Sequence, residues 1–282
     1  MNILTFDIEE WFHLLELPAT SNPELWGNFE QRIEANTDKL IRLLDDMDAK
    51  ATCFVLGWVA KEYPSVVKRL ADAGHELGIH SYDHSLVFMQ SRRAFSEDIK
   101  RSCGLVSDIT GKPVTMFRAP GFSIVESTLW AFEELVEQGI TADSSVFPAS
   151  RAHGGFPSFP TDKPCVIDVR GMKLYEFPLN TSSFFGTRMI FSGGGYFRLM
   201  PYPFIRKLTQ QSNYVMTYFH PRDFDPGQKI LPGMSPYRIF KSYYGLNGSY
   251  DKLKHWLDEF EFVNLSAAIK RIDWEKAKVI RI

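Results

Sequence analysis

The segment that decides the fold runs from Ala51 to His80 and reads ATCFVLGWVAKEYPSVVKRLADAGHELGIH. It begins with an apolar run, Ala51 to Leu56, that predicts a buried strand, and it ends with a second strand candidate, Glu76 to His80. The residues between them predict a helix, with Pro64 near the start of its second part and Gly74 just past its end. Strand, helix and strand in this order are typical of parallel strands joined by a right-handed crossover.

The same alternation extends through the first half of the chain. Apolar residues recur at helical spacing between Ile33 and Met47, and Ser91 could cap a long helix that ends at Gly111. The remaining candidates are strands at Ile3 to Phe6 and Thr115 to Arg118, and a helix from Ser127 to Gln138. This repeated order predicts an α/β fold built on a parallel sheet or barrel.

The rhythm breaks from about Phe147 to Tyr202, where Pro and Gly become frequent and the run Gly193 to Gly195 occurs. We interpret this stretch as irregular loops and short strands that decorate a barrel, not as an independent domain. The segments that follow are a strand at Val215 to Phe219, a loop-rich stretch at Pro221 to Gly248 and helices at Tyr250 to Phe260 and Ser266 to Arg271. Because single α/β barrels commonly run to about 250 residues, we expect one catalytic domain, residues 1–282.

Composition and charge exclude several classes of protein. The chain has 32 basic and 34 acidic residues and a formal charge of −2, with no basic cluster for nucleic acid or an anionic membrane. No apolar run approaches the ~20 residues that span a bilayer. The N-terminus lacks the pattern of a signal peptide, so a cytoplasmic location is expected. The 3 cysteines are isolated, which argues against a disulfide framework or a zinc knuckle.

Carboxylates follow the first predicted strand, in the segment Thr5-Phe6-Asp7-Ile8-Glu9-Glu10-Trp11. In an extended chain Asp7 and Glu9 lie on the same face, while Glu10 points away. If enclosed, these groups repel one another unless a cation or hydrogen bonds offset the repulsion. The alternative is a set of solvated loop carboxylates.

Two histidines follow the third predicted strand, in the segment His80-Ser81-Tyr82-Asp83-His84. Imidazoles at this spacing converge if the intervening chain makes a helical turn, which is a usual way to hold zinc. By itself the spacing is a weak signal, and two surface histidines are the alternative.

Two further segments place a charged or titratable side chain at the end of a predicted strand. The guanidinium of Arg118 could clamp a carboxylate, and the turn at Pro120-Gly121 could direct backbone amides at a developing oxyanion. A surface turn with a structural salt bridge is the alternative. His220, after Tyr218-Phe219, could be a general acid or a hydrogen-bonded core residue.

The order of these motifs carries more information than any one of them. A strand ending in TFD, then H-S-x-x-H, then R-x-P-G and a late aromatic-His resembles the polysaccharide deacetylases, carbohydrate esterase family 4, from Ile3 to about His220. The phrases Asp143 to Pro148 and Gly193 to Leu199 resemble the subgroup encoded with bacterial exopolysaccharide biosynthesis. The resemblance implies a distorted (β/α) barrel, with irregular loop insertions in its second half.

The resemblance also implies roles for individual residues. His80 and His84 match the two metal-binding histidines of the family. Asp7 matches its catalytic base, and Arg118 matches the arginine that holds this base ionised and oriented. His220 matches the late histidine that acts as general acid.

This chain departs from the common motif at one position that bears on the metal. The family usually has Thr-Phe-Asp-Asp, and its second Asp binds the ion, but here that place holds Ile8. Some members spread the pair as Asp-x-Asp or Asp-x-Glu, so Glu9 is the expected third ligand, with Glu10 or Asp7 as reserves. The late motif also has Tyr218 where the family usually has Leu, which we expect to reshape the pocket for the acyl methyl group.

The remaining expectations concern the walls of the site. Backbone amides near Gly121 and Phe122 are expected to stabilise the oxyanion, and Asp143 is expected to orient His220 or Arg118, with a plain strand-end turn as its alternative. Three aromatic residues could face the sugar or could equally belong to the core: Trp11, Tyr196 and Phe197.

The predicted function is a metal-dependent hydrolase that removes N-acetyl groups from an N-acetylated amino sugar in a polysaccharide or its precursor. The divalent ion could be zinc, cobalt, nickel or iron, since mixed nitrogen and oxygen ligation suits several metals. One alternative is a hydrolase of the same superfamily that acts on a small amide or cyclic ureide. Another is a non-catalytic saccharide-binding protein, although such a protein needs no base, acid and metal together.

Overall fold

The chain adopts an α/β fold in a computed structural model, which describes residues 1–15, 17–151, 154–184 and 187–282, with the side chains of 183–189 left aside. The strands are β1 (Asn2–Ile3), β2 (Thr5–Ile8), β3 (Thr52–Val55), β4 (Glu76–Ile79), β5 (Met116–Phe117), β6 (Ala142–Asp143), β7 (Cys165–Val169), β8 (Met172–Glu176), β9 (Ser182–Phe184), β10 (Thr187–Met189), β11 (Val215–Met216), β12 (Phe262–Val263) and β13 (Lys278–Arg281). The α-helices are α1 (Ile33–Asp46), α2 (Gly57–Glu62), α3 (Pro64–Asp72), α4 (Arg92–Thr110), α5 (Trp130–Glu137), α6 (Gly194–Leu199), α7 (Tyr202–Gln211), α8 (Pro236–Tyr243), α9 (Leu246–Glu259) and α10 (Leu265–Arg271).

The first half of the chain has the predicted β-α order. Strands β2 to β6 lie side by side in chain order and pair in parallel, and β8 pairs in parallel with β6. The helix predicted between β3 and β4 divides into α2 and α3, because Pro64 starts a new first turn. Helix α4 begins after Ser91, whose side chain accepts a hydrogen bond from the amide of Ala94 at 3.2 Å, and it ends at Gly111, whose φ is 68°.

The barrel closes imperfectly. Strand β1 pairs in parallel with β11 and β12, and a bridge joins Phe6 with Phe219. On the far side of β11, Asn180 accepts a hydrogen bond from the amide of Met216 at 2.9 Å, through its side-chain oxygen. The strands therefore curve round into the predicted distorted barrel. On one side of β11 its closure depends on the side chain of Asn180 instead of a paired strand.

The second half is more regular than the sequence suggested in two places. Strands β7 and β8 form an antiparallel hairpin, and β13 adds a parallel strand at its edge. Helix α8 occupies part of the stretch Pro221 to Gly248 that was predicted to be loop-rich, so that prediction was wrong there. No residue of α8 is buried, although Tyr237, Phe240 and Tyr244 recur at helical spacing, so its apolar side chains lie at the surface.

The two halves share one hydrophobic core. Its members include Phe6 and Leu40 from the first half and Phe219 and Trp256 from the second. The rings of Phe6 and Phe219 have centroids 5.9 Å apart, directly beneath the residues that end β2 and the segment after β11. In the part of the chain that is described, none of the helices is long and apolar enough to span a membrane.

Candidate metal centre and catalytic site

The predicted site residues come together because each follows the carboxyl end of a parallel strand. Glu9 comes directly after β2, His80 after β4 and Arg118 after β5, while His220 ends the segment that continues β11. The carboxyl ends of neighbouring parallel strands open on the same edge of a barrel, so side chains distant in sequence meet there.

Glu9, His80 and His84 form a cluster whose ligand-capable atoms all lie within 4.8 Å of one another. Glu9 Oε2 is 2.8 Å from Nε2 of His84. His80 Nδ1 is 2.7 Å from the carbonyl oxygen of Arg118. Because a carbonyl oxygen only accepts, Nδ1 carries the hydrogen and Nε2 keeps its lone pair, the arrangement usual for a metal-ligating histidine.

The loop between the two histidines is held in a specific shape. Ser81 and His84 both have positive φ angles, 60° and 62°, which are uncommon for residues other than glycine. The amide of His84 donates to the hydroxyl of Ser81 at 3.1 Å, and the amide of Tyr82 donates to the carboxylate of Asp98, on α4, at 3.0 Å. These bonds hold a loop conformation that brings both imidazoles to one side.

This cluster has the chemistry of a metal site. Oε2 of Glu9 is buried, and in the described part of the chain its near neighbour is the ring of His84. Burial would raise the pKa of Glu9, but the charges of the surrounding histidines lower it below its usual range, while burial lowers the pKa of His80 to about 4. Near neutral pH Glu9 is therefore a carboxylate and His80 a neutral imidazole, and these are the forms that bind a cation.

Arg118 holds the carboxylate of Asp7. Its side chain is fully buried, and Nη1 lies 2.8 Å from Oδ1 of Asp7 and 2.8 Å from the hydroxyl of Thr5. The other guanidinium nitrogens donate to Ser144, to its hydroxyl at 3.0 Å and its carbonyl at 3.2 Å. This clamp holds one oxygen of Asp7 and leaves Oδ2, which lies 3.8 Å from Nε2 of His220.

His220 faces both carboxylates and has a carboxylate partner of its own. Its Nε2 is 3.7 Å from Oε1 of Glu9, and its Nδ1 is 2.9 Å from Oδ2 of Asp223. Burial would lower the pKa of His220, but the hydrogen bond and charge of Asp223, with the charges of Glu9 and Asp7, raise it to about 9. The imidazole is therefore a cation near neutral pH and can donate a proton from Nε2.

Comparison with known proteins shows what parts of the chain are similar to. Residues 18–138 match the family model described as polysaccharide deacetylase. This part of the chain is similar to the polysaccharide deacetylases. Residues 144–270 match a second model, described as a domain of unknown function (DUF3473), and this second stretch contains His220 and Asp223.

Individual relatives show the same similarity over part of the chain. A peptidoglycan-N-acetylglucosamine deacetylase of Bacillus cereus is 36% identical over 84 residues, which are 30% of this chain and 31% of the relative. The matched region thus spans about a third of that curated relative.

Two solved structures share the fold. One, from Mycobacterium smegmatis and assigned as a polysaccharide deacetylase, has a TM-score of 0.68 at 17% identity, covering 100% of this chain and 92% of that one. The other, a Bacillus anthracis protein described as a CE4 family pseudoenzyme, has a TM-score of 0.54 at 14% identity, covering 99% and 69%.

Asp143 does not have the predicted partners. Its Oδ1 accepts from the hydroxyl of Ser145 at 2.5 Å, and that hydroxyl in turn accepts from the amide of Ala119 at 2.8 Å. The carboxyl of Asp143 also pairs with that of Glu176, and burial raises the pKa of both groups. The prediction that Asp143 orients His220 or Arg118 is therefore wrong, because Asp223 and Ser144 occupy those positions.

The reserve metal ligand Glu10 is engaged elsewhere. Its Oε1 accepts hydrogen bonds from the amides of Arg32 and Ile33 at 2.6 and 2.7 Å, and it thereby caps the start of α1. The other reserve, Asp7, pairs with Arg118. Glu9 is the carboxylate that the structure brings beside the two histidines.

The turn predicted to stabilise the oxyanion is present, and one of its two amides donates a hydrogen bond within the chain. Gly121 and Phe122 have φ angles of 61° and 54°, so the chain turns sharply after Pro120. The amide of Phe122 donates to the carbonyl of Ala119 at 3.1 Å, which leaves the amide of Gly121 as the better donor to a substrate. Its role in catalysis stays a prediction.

The three aromatic residues expected at the sugar-facing wall differ. Trp11 is only 3% exposed and its indole nitrogen donates to the carbonyl of Glu30, so it belongs to the core. Phe197 is fully buried against Trp256. Tyr196 on α6 is 41% exposed and remains available to contact a substrate.

Sequence reasoning missed Asp223 and His13. The short helix Pro221–Phe224 brings Asp223 back to His220, and the spacing H-P-x-D was a readable signal for this return. His13 is buried beside the cluster, its ring 6.2 Å from that of His84, and burial lowers its pKa to about 3. A neutral ring behind His84 adds no repulsion to a bound cation.

Proposed function

We propose that this chain is a metal-dependent carbohydrate N-deacetylase, which hydrolyses the acetamide of an N-acetylated amino sugar. The observation that carries the proposal is the meeting of three units at one edge of the barrel. They are the Asp7 carboxylate held by Arg118, the imidazole of His220 with its partner Asp223, and the cluster of Glu9, His80 and His84. The match of residues 18–138 to the polysaccharide deacetylase model supports the same reaction.

Glu9, His80 and His84 would hold the metal ion. A divalent ion bound there supplies Lewis-acid polarisation of a carbonyl and lowers the pKa of water toward ~7. Two imidazole nitrogens and one carboxylate suit zinc with open positions, although cobalt, nickel or iron accept the same donors. Near neutral pH Glu9 is a carboxylate and His80 a neutral imidazole, the forms that bind a cation.

Asp7 and His220 divide the proton transfers. Oδ2 of Asp7, the oxygen not held by Arg118, takes the proton of the attacking water. His220 donates from Nε2 to the leaving nitrogen, which is required because an amide nitrogen leaves only as a protonated amine. Asp223 accepts from Nδ1 of His220 and so fixes which nitrogen faces the substrate. The amide of Gly121 stabilises charge on the carbonyl oxygen.

The substrate class rests on the relatives. The matched Bacillus cereus protein is a peptidoglycan-N-acetylglucosamine deacetylase, so we propose an N-acetylglucosamine residue in a polysaccharide or its precursor. The association with exopolysaccharide biosynthesis, from the resemblance of Gly193 to Leu199, stays a prediction. The cytoplasmic location does so too, and cell fractionation would test it.

The test combines elemental analysis with an acetate assay. The protein is incubated with chitin oligomers, peptidoglycan fragments and nucleotide sugars, before and after chelation and after metal is restored. We expect about one metal ion per chain and acetate release that disappears with the metal and returns with it. Stoichiometric metal with no acetate from any amino sugar would refute the deacetylase proposal and favour a saccharide-binding role. Hydrolysis confined to small amides or cyclic ureides would favour that alternative.

A further inference from the structure

Arg198 is a buried cation that the proposed reaction does not yet use. It lies on α6, in the Gly193 to Leu199 phrase, and its side chain is 3% exposed. Its Nε lies 3.1 Å from Oδ1 of Asp223, whose side chain is also 3% exposed. A buried guanidinium is costly unless its charge is matched, and this carboxylate matches it.

The rest of the guanidinium holds the end of α8. Nη1 donates to the carbonyl oxygens of Ser242 and Tyr244, each at 2.9 Å, and Nη2 lies 3.3 Å from that of Lys241. The last carbonyls of a helix have no partner within the helix, and a cation there also interacts favourably with the helix dipole. Arg198 therefore joins α8 to Asp223.

Asp223 is held from both sides by this arrangement. Its Oδ2 accepts from Nδ1 of His220 at 2.9 Å and from the amide of His220 at 3.0 Å, while Oδ1 faces Arg198. The other buried arginine nearby, Arg222, donates instead to Gln228 at 3.0 and 2.7 Å. Arg198 is thus the guanidinium whose charge faces the Asp223 carboxylate, as a buried ion pair at 3.1 Å that lacks hydrogen-bond geometry.

We propose that Arg198 is a positioning residue for the general acid. It holds Asp223 so that the imidazole of His220 presents Nε2 to the leaving nitrogen, and it couples that orientation to the end of α8. The inference rests on the proposed deacetylase function. It parallels the other side of the site, where Arg118 holds the carboxylate of Asp7.

The experiment compares two substrates that differ in their need for a proton. When an N-acetylated amino-sugar oligomer is hydrolysed, the leaving group is an amine nitrogen that must be protonated. When 4-nitrophenyl acetate is hydrolysed, the leaving group is the stable 4-nitrophenolate, which needs no proton. In Arg198→Met we expect kcat for the amide to fall about 10²-fold, the lower end of the span for general acid catalysis. KM, metal content and the rate with the ester should change little.

Further variants separate positioning from folding. Asp223→Asn should show the same selective loss on the amide. Arg198→Lys should restore part of it, because an ammonium supplies the charge but not the fork that also reaches the α8 carbonyls. The matched control is Arg206→Met. Arg206 is an exposed arginine on α7 that pairs with Glu259 at 3.1 Å, and its removal should leave the amide and ester rates unchanged.

The outcomes are distinct. Equal losses on amide and ester, or loss of metal, in Arg198→Lys and Arg198→Met would overturn the positioning role and make Arg198 a residue of the fold. An unchanged amide rate in folded Arg198→Met would overturn it as well. If the wild-type protein releases no acetate from any amino sugar, the proposed function fails and this inference fails with it.

Discussion

Residues 1–143 and residues 144–282 build the same site in different ways. The first region alternates strands and helices regularly, and it supplies the candidate metal ligands, the proposed base Asp7 and its partner Arg118. The second region is irregular and supplies the proposed general acid His220 with its partners Asp223 and Arg198. Each region holds a carboxylate with a buried arginine. The comparison shows that both a regular βα framework and an irregular one can place a buried arginine beside a carboxylate of the site.

If the first region carries the metal, changes there should have the largest effect. His80→Ala or Glu9→Ala should lose the metal and about 10⁴-fold or more of the activity, since metal catalysis contributes several kcal/mol. Elemental analysis and acetate release measure both. Glu10→Gln is the matched control, because Glu10 caps α1, and it should keep its metal. Metal loss in Glu10→Gln with retention in Glu9→Ala would reverse the assignment of the third ligand.

The second region should affect proton transfer without affecting metal binding. His220→Ala should lower kcat by about 10²–10⁴-fold, the usual span for a general acid, and leave metal content unchanged. The exposed His255→Ala serves as a histidine control. Should the metal leave with His220, that residue is a ligand and the division between the two regions is wrong.

The contact between the regions can be broken at Arg118. Arg118→Met leaves the buried carboxylate of Asp7 without its cation and removes the bonds to Ser144, so we expect about 3–5 kcal/mol of lost stability. Urea unfolding measures this free energy. The double variant Arg118→Met with Asp7→Asn should recover part of the loss, since the unpaired charge is gone. No recovery would mean that the bonds to Thr5 and Ser144 carry the stability instead.

A smaller effect is expected at the carboxyl pair between β6 and β8. Burial raises the pKa of Glu176 well above 4.5 and also raises that of Asp143. Glu176 therefore keeps a proton in the folded protein that it releases in the unfolded chain. The free energy of unfolding falls as the pH rises above the unfolded pKa of about 4.3 for this residue. The decrease ends once the pH passes the folded pKa of Glu176.

Urea unfolding of wild type and Glu176→Gln between pH 5 and pH 8 tests this sign. One retained proton corresponds to about 1.4 kcal/mol per pH unit at most, and the variant should lose this slope because glutamine does not titrate. The exposed Glu275→Gln is the control. Parallel profiles for wild type and Glu176→Gln would show that the pair does not hold the proton.

Much of the first region could be read from local pattern. The apolar run from Ala51 to Leu56, the Pro64 and Gly74 boundaries and the cap at Ser91 all depend on neighbours in sequence, and the structure confirms them. The second region was harder. Helix α8 has 8 residues, begins at Pro236 and is soon followed by Gly245, so the Pro and Gly content of this stretch favoured a loop.

In the candidate site, too, some features followed from local sequence and others only from the tertiary structure. Alternation along a strand was enough to put Asp7 and Glu9 on one face and Glu10 on the other, since that depends only on backbone geometry. In the folded chain Asp223, not Asp143, supports His220. The spacing H-P-x-D signalled Asp223 locally, but the approach of Arg198 to Asp223 and of Arg118 to Ser144 was decided only by the tertiary structure. These contacts join residues far apart in sequence and depend on burial, which no local pattern encodes.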